Sequence, residues 1–413
     1  MHIPPALKHR RFFLLWLGLL ISITGTQMQI WALFWHIREL TPHPIALGGI
    51  GLARIGPVIV FSLIGGALAD SADRRRILFW TQSSAALLAL TLGLLTEFGH
   101  IRLWHIYLIT ALGAIAVAFD GPARQALVPN LVPSAELPNA FSLTSIAFQT
   151  GSVLGPALSG VAIAAWGQEA VYYLNAASFL GMILALILIG PTNQTFLPQQ
   201  KGVKWAAIRD GIRFTYHQPM IFSTMILDFI ATFFASANTL MPILARDVLR
   251  VGVVEYGWLS AAQSVGAVIV ALVVSQLRQL QKQGPLFLGS VFVFGAATIL
   301  FGLSRSFVVA WFSLVLVGAA DGLSTIIRNT IRQLNTPDHL RGRMTSVNQI
   351  FFQGGPQLGE IEAGVVAQLF GAPFAVVSGG IGCLLGLGWV IRQWPQLLTY
   401  NGHEPLTGRA TAD

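Results

Sequence analysis

Long apolar runs alternate with short polar breaks along nearly the whole chain, from Phe12 to Trp394. Twelve such runs can be marked. They are Phe12–Trp35, Ala46–Ala69, Ile77–Glu97, Leu103–Ala123, Asn139–Trp166, Ala170–Gly190, Met220–Ala245, Val254–Leu277, Pro285–Leu303, Phe307–Ile327, Arg343–Phe370 and Pro373–Trp394. A helix needs about 20 apolar residues to cross a bilayer. In hydrocarbon it must satisfy its own backbone hydrogen bonds, so runs of this length predict an all-α membrane protein with twelve transmembrane helices. Composition agrees: 54% of the 413 residues are apolar and only 10% are charged. A soluble domain carries about 25% charged residues, and a disordered chain needs low hydrophobicity. Both classes are excluded.

The net charge of +8 does not imply a nucleic-acid partner, because the 25 Lys and Arg are scattered between apolar runs. With the N-terminus placed in the cytoplasm, 19 of them fall on the cytoplasmic side and 5 on the far side, and Arg54 lies inside a span. That asymmetry follows the positive-inside rule and predicts that both termini are cytoplasmic. The longest polar break separates spans six and seven. The organisation read from it is a bundle over residues 1–190, a linker over 191–219, a second bundle over 220–394 and a tail over 395–413. In the linker, Lys201, Lys204, Arg209 and Arg213 surround Trp205, Ile208, Ile212 and Phe214. This spacing suits either a helix lying on the membrane surface or a plain tether.

The two halves are related. Shifted by 204 residues, Arg124–Gly167 matches Arg328–Gly371 at 12 of 44 positions, including Phe148/Phe352, Gln149/Gln353, Gly151/Gly355, Gly155/Gly359 and Gly160/Gly364. The match joins spans four and five to spans ten and eleven, and predicts two six-helix pseudo-repeats.

Between spans two and three stands Gly65-Gly66-Ala-Leu68-Ala-Asp70-Ser-Ala-Asp73-Arg74-Arg75-Arg76. Gly66, Leu68, Asp70, Arg74 and Arg75 resemble the signature that the major facilitator superfamily carries in this loop. The chain departs from it at Asp73, where the general pattern has Gly. Span five carries Gly151-x-x-x-Gly155-Pro156-x-x-x-Gly160, which is similar to the span-five motif of the drug/proton antiporters, with Ser159 in place of one Gly. Gly121 through Ala140, Leu240 through Asp247, and Tyr256-Gly-x-Leu resemble the branch that contains the enterobactin exporter and secretion-type permeases. The resemblance covers essentially the whole chain. It implies the major facilitator fold and a transport role. It further implies that Asp70 caps a helix of the opposite half, near Arg343, on the closed cytoplasmic side, with Asp120 completing the network through Arg74. Arg124 belongs to the same group.

Charges inside a membrane are costly and mark function. Arg54 in span two, Asp228 near the middle of span seven, and Glu360 and Glu362 in span eleven are candidates for proton coupling or gating. Spans two and eleven face each other in the superfamily fold, which suggests a pairing of Arg54 with Glu360 or Glu362. Asp228 is either an unpartnered carboxylate with a raised proton affinity or a partner of nearby polar groups. Gln27, Gln29, Trp31, Phe148, Gln149, Asn175, Asn238, Phe352 and Gln353 are candidates to line a substrate cavity, or else serve in helix packing.

His36, His43, His100 and His105 are expected at the outer interface, and neither they nor the single cysteine, Cys383, suggest a metal site. No phosphate-binding Gly-x-x-x-x-Gly-Lys loop occurs. The expectation is a protein without cofactor or enzymatic activity, monomeric in the inner membrane. It would drive efflux of a small organic molecule, whether drug-like compound, siderophore or metabolite, by proton antiport and alternating access. Uptake by symport or uniport is the alternative within transport. A polytopic lipid-handling protein or enzyme is the alternative outside it.

Overall fold

The computed structural model describes residues 4–192, 213–235, 238–277, 280–337 and 340–402. Its long helices are α1 (Arg10–Leu40), α2 (Ile45–Ser71), α3 (Arg74–Glu97), α4 (Leu103–Leu127), α5 (Leu137–Trp166) and α6 (Gln168–Ile189). Beyond the linker follow α7 (Pro219–Phe234), α8 (Val253–Ser275), α9 (Gln283–Leu303), α10 (Phe307–Leu334), α11 (Arg341–Phe370) and α12 (Ala372–Gln393). Among the described residues, ten helical stretches are long and apolar enough to cross a membrane. α2 contributes only a shorter apolar stretch, Ile45–Val58, to that reckoning. α11 is 30 residues long, and Arg341, Arg343, Glu360 and Glu362 interrupt its apolar character. The surface-helix reading of the linker rests mainly on residues 201–212, outside the described residues.

Most helix ends lie within three residues of the apolar-run boundaries. Span seven differs. The sequence suggests one helix over Met220–Ala245, but α7 ends at Phe234. After it come a 3₁₀ turn at Asn238–Leu240, a helical turn at Met241–Ile243 and a π turn at Leu244–Val248. Pro242 has no N–H to donate to the carbonyl of residue 238, so one rung of the α-ladder is missing there, and the whole stretch Pro219–Val248 still counts as one crossing. Span ten differs in the other direction. α10 runs seven residues past Ile327, because Ile327 and Ile331, one turn apart, are both fully buried in the same core.

The chain packs as two compact units, residues 1–203 with 251–261 and residues 204–250 with 262–413. In the first unit α1 packs on α5 and α6, α3 on α4 and α6, and α2 on α4. Phe12, Leu15, Leu78, Leu127 and Leu186 form the heart of its main core. In the second unit α7 packs on α11 and α12, and α9 packs on α10 and α12. Its core centres on Leu227, Phe287, Ile331, Leu387 and Val390. Large apolar side chains such as Leu87, Leu184, Leu272 and Leu385 remain exposed. Lipid contact explains that exposure, since exposed apolar surface carries no penalty against acyl chains.

Close approach of the helices comes from small residues. A Cβ on Gly155 would stand 3.0 Å from the Thr24 carbonyl oxygen and 3.1 Å from the Met28 nitrogen, both backbone atoms of α1. Gly151 likewise abuts Ile23 and Thr24. In the second unit Gly359, the repeat partner of Gly155, lies against the backbone of Thr232 and Phe233 on α7.

Candidate functional site

Gly66 and Asp70 fall in the last two turns of α2, and their side chains lie outside the described residues. Asp73 is the N-cap of α3 and accepts hydrogen bonds from the backbone N–H of Arg75 at 3.0 Å and of Arg76 at 3.3 Å. Arg74 donates to the Ala126 carbonyl at 3.0 Å and to Asn130 Oδ1 at 2.8 Å, tying α3 to the end of α4. Arg75 reaches α6 and donates to the Leu186 carbonyl at 2.6 Å. Asp120 is buried and held from three sides. It pairs with Arg124 on its own helix and accepts from Thr81 at 3.2 Å and Gln82 at 2.7 Å on α3. Its partners are therefore Arg124 and α3 side chains rather than Arg74. Arg124 also lies over the Phe148 ring at 5.3 Å. Each of these contacts lies within the first unit.

The span-five motif seats α5 on α1. Ser159, which replaces a Gly of the family motif, is fully buried and donates to the Met28 carbonyl at 2.9 Å. A hydroxyl there adds an interhelical bond where a second Gly would add only proximity. Gly160 meets Gly257 at the start of α8, where a Cβ would lie 3.1 Å from the Gly257 Cα.

The uncharged candidates separate into two groups. Gln27 donates to Ser152 at 3.2 Å, Gln29 accepts from Asn175 at 2.7 Å, and Asn238 accepts from Gln263 at 2.8 Å. Trp31 packs edge-on against Phe34 and Tyr256, and its carbonyl accepts from the Tyr256 hydroxyl at 2.9 Å. These five, Asn175 included, are tied into helix packing. Phe148, Gln149 and Phe352 are exposed. The side chain of Gln353 lies outside the described residues. His36, near the Leu40 end of α1, is buried, and its Nδ1 sits 2.8 Å from the Tyr172 hydroxyl. Among the described residues no group of His, Cys, Asp and Glu could hold a metal ion.

The guanidinium of Arg54 lies 5.7 Å over the Phe34 ring. Glu360 is buried and Glu362 half-buried on α11. Asp228 has a charged partner. Its carboxylate forms an ion pair with Arg328 on α10, and the two side chains are 5% and 3% exposed. Arg328 also donates to Thr325 at 2.6 Å and lies 3.8 Å from Asp321. One turn on, buried Arg332 donates to the Arg328 carbonyl at 3.2 Å and bonds Asn329. Sequence reasoning counted Arg328 and Arg332 only among the 19 basic residues of the cytoplasmic side and passed over Asp321. One signal was present: the 204-residue shift aligns Arg328 with Arg124. Each half thus sets an Arg of its fourth helix against a carboxylate. Asp120 serves from within the same helix, whereas Asp228 serves from another.

The sequence pattern of the transmembrane secretion effectors, a branch of the major facilitator superfamily, matches residues 4–398. The chain belongs to this family. It is a multi-pass membrane transporter, not an enzyme. The chain is 25% identical to the multidrug efflux pump Tap of Mycolicibacterium fortuitum over 386 residues, covering 90% of this chain and 93% of Tap. It is also 25% identical to the enterobactin exporter EntS of Shigella boydii over 378 residues, covering 91% and 90%. Among solved structures, a bacterial homologue of the human lysosomal transporter Spinster, inward-facing and unoccupied, superposes with a TM-score of 0.74 at 14% identity. That match covers 96% of this chain and 99% of the other. At that identity the likeness establishes the major facilitator fold alone.

Proposed function

We propose that this transporter exports a small organic molecule from the cytoplasm in exchange for protons, by alternating access. The single observation that carries the proton coupling is the buried Asp228–Arg328 pair. Asp228 is the tenth residue of α7, about 13 Å along a helix that rises 1.5 Å per residue. A transporter places charges at such depth where they act on ions or cargo. Protonation of Asp228 would release Arg328, and an uncompensated buried Arg strongly favours a different arrangement. The direction rests on Tap and EntS, whose names describe an efflux pump and an exporter.

The 204-residue repeat, and the matching packing of α1 on α5 and α6 and of α7 on α11 and α12, support a twelve-span reading. In it, residues 1–190 and 220–394 form two six-helix bundles joined by the linker 191–219, with 395–413 as a tail. The protein works as a monomer in a bacterial inner membrane; the charge asymmetry supports placing both termini in the cytoplasm. The loop group Gly66, Asp70, Arg74, Arg75, Asp120 and Arg124 serves the cytoplasmic gate, and Arg54 with Glu360 or Glu362 serves the outer one. Exposed Phe148, Gln149 and Phe352 are the cavity positions most open to cargo.

The test is proton release from purified protein in detergent on addition of ethidium, citrate or neutral amphiphiles. Wild type is expected to bind at least one compound and release protons, and Asp228→Asn to lose the release. Binding with no proton release in wild type would make the protein a uniporter. Accumulation of the bound compound by inside-out but not right-side-out vesicles checks the direction.

A further inference from the structure

The pairing of Arg328 leaves one carboxylate over. Asp228 and Asp321 both face the guanidinium of Arg328, at ion-pair contact and at 3.8 Å. The two acids differ in setting. Asp228 is 5% exposed, whereas the side chain of Asp321 is 51% exposed. That exposure is not to lipid. The lipid-facing side of α10 is marked by exposed Phe312 and Leu316. Five residues beyond Leu316, at about 100° per residue, Asp321 is turned about 140° from that face. It shares its direction with Arg328, which is two turns further along and 2% exposed. Asp321 is the fifteenth residue of a 28-residue helix, about 21 Å from either end. Asp321 is thus a carboxylate midway along its helix, turned from the Phe312–Leu316 face, whose side chain stays half open while its neighbour Asp228 is closed over.

We infer that Asp321 and Asp228 form a two-carboxylate proton site sharing the single guanidinium of Arg328, and that Asp321 is the member that exchanges its proton with water. The inference deepens the antiport reading above by naming its proton port. Among the described residues, the charged groups around Arg328 are Asp321 and Arg332 on its own helix and Asp228 on α7. Arg328 is the guanidinium that reaches both carboxylates, since Arg332 bonds the Arg328 carbonyl and Asn329 instead. With Asp321 protonated, Arg328 is left to Asp228 alone. When that proton passes from the Asp321 carboxyl to a water, only the O–H bond breaks, and the new carboxylate draws on Arg328 in competition with Asp228. The guanidinium then moves between acids on two helices. Changes of protonation at the open site are thereby transmitted to α7.

The test uses the full-length protein reconstituted in lipid. Infrared difference spectra record the carboxylic-acid carbonyl band against pH, and no cargo is needed. Among the bands of the chain's 17 Asp and Glu, wild type is expected to show a titration step that Asp321→Asn removes. Asp228→Asn should keep that step and move its midpoint down by about one pH unit or more, because Arg328 then serves Asp321 alone. Arg328→Gln should move it up by a similar amount. If Asp228→Asn does not fold, the double variant D228N/R328Q retains a neutral pair and should show the upward shift. A titration unchanged by Asp321→Asn, or a midpoint indifferent to both partners, overturns the proposal. If the spectra behave as expected but no cargo releases protons, the proton site stands and the antiport reading falls. If cargo releases protons and Asp321→Asn leaves the spectra unchanged, the reverse holds.

Discussion

Asp228 on α7 and Arg328 on α10 form an ion pair that is nearly closed to solvent, with side chains 5% and 3% exposed. Removing one partner of such a pair strands the other charge, which costs about 3–5 kcal/mol. Asp228→Asn and Arg328→Gln should each lower the thermal unfolding midpoint of the detergent-solubilised protein sharply. The double variant should regain most of the loss. Additive losses in the double variant would mean that the two side chains are not energetically coupled.

The approach of α5 to α1 depends on Gly155, where a side chain would press into backbone atoms of Thr24 and Met28. Overpacking of this kind costs about 1–3 kcal/mol. Gly155→Val should lower the unfolding midpoint and impair transport. Gly113→Ala on α4 is the control, since a Cβ there meets nothing within 4 Å. Equal effects of the two substitutions would refute a packing role for the span-five motif.

The spans were legible because a bilayer imposes one length and one polarity on every crossing helix, and Glu97, Trp166, Leu303 and Phe370 end both a run and a helix. Arg328 was not legible, because an Arg just after an apolar run reads as a loop charge. Burial of Ile327 and Ile331 carries the helix on and draws Arg328 and Arg332 inside. Its acid, Asp228, is 100 residues away in the sequence, and no local pattern announces a partner on another helix. The same limit applied to Gln27, Gln29 and Asn175, which the sequence left between cavity lining and helix packing and which are bonded between helices, Gln29 to Asn175 and Gln27 to Ser152.

Glu360 and Glu362 are two residues apart on α11, about 200° around the helix from each other. Glu360 is the buried one, at 8% exposure, and Glu362 is half-buried. Their roles should separate. Glu362→Gln is expected to reduce the protons released per cargo bound while leaving the unfolding midpoint within about 0.5 kcal/mol, as for a substitution away from the core. Glu360→Gln is expected to lower stability with coupling retained. Intact coupling in both variants would remove α11 from the proton pathway.

Asp73 stands where the general family pattern has Gly, and the structure gives it a local task. Its carboxylate accepts from the N–H groups of Arg75 and Arg76 and caps α3. It also lies 3.6 Å from the Arg76 guanidinium, but that side chain is 83% exposed, so the pair adds little. Loss of an N-cap to Ala costs about 0.5–2 kcal/mol, whereas Gly at the same place costs only a few tenths. Asp73→Ala should therefore lower the unfolding midpoint, and Asp73→Gly should lie near wild type. Both should insert normally, because Arg74, Arg75 and Arg76 still supply the basic loop. If Asp73→Gly were as damaging as Asp73→Ala, the carboxylate would be acting through its charge rather than as a cap. Asp73→Asn would then fall with them, where a cap alone predicts that it stays near wild type.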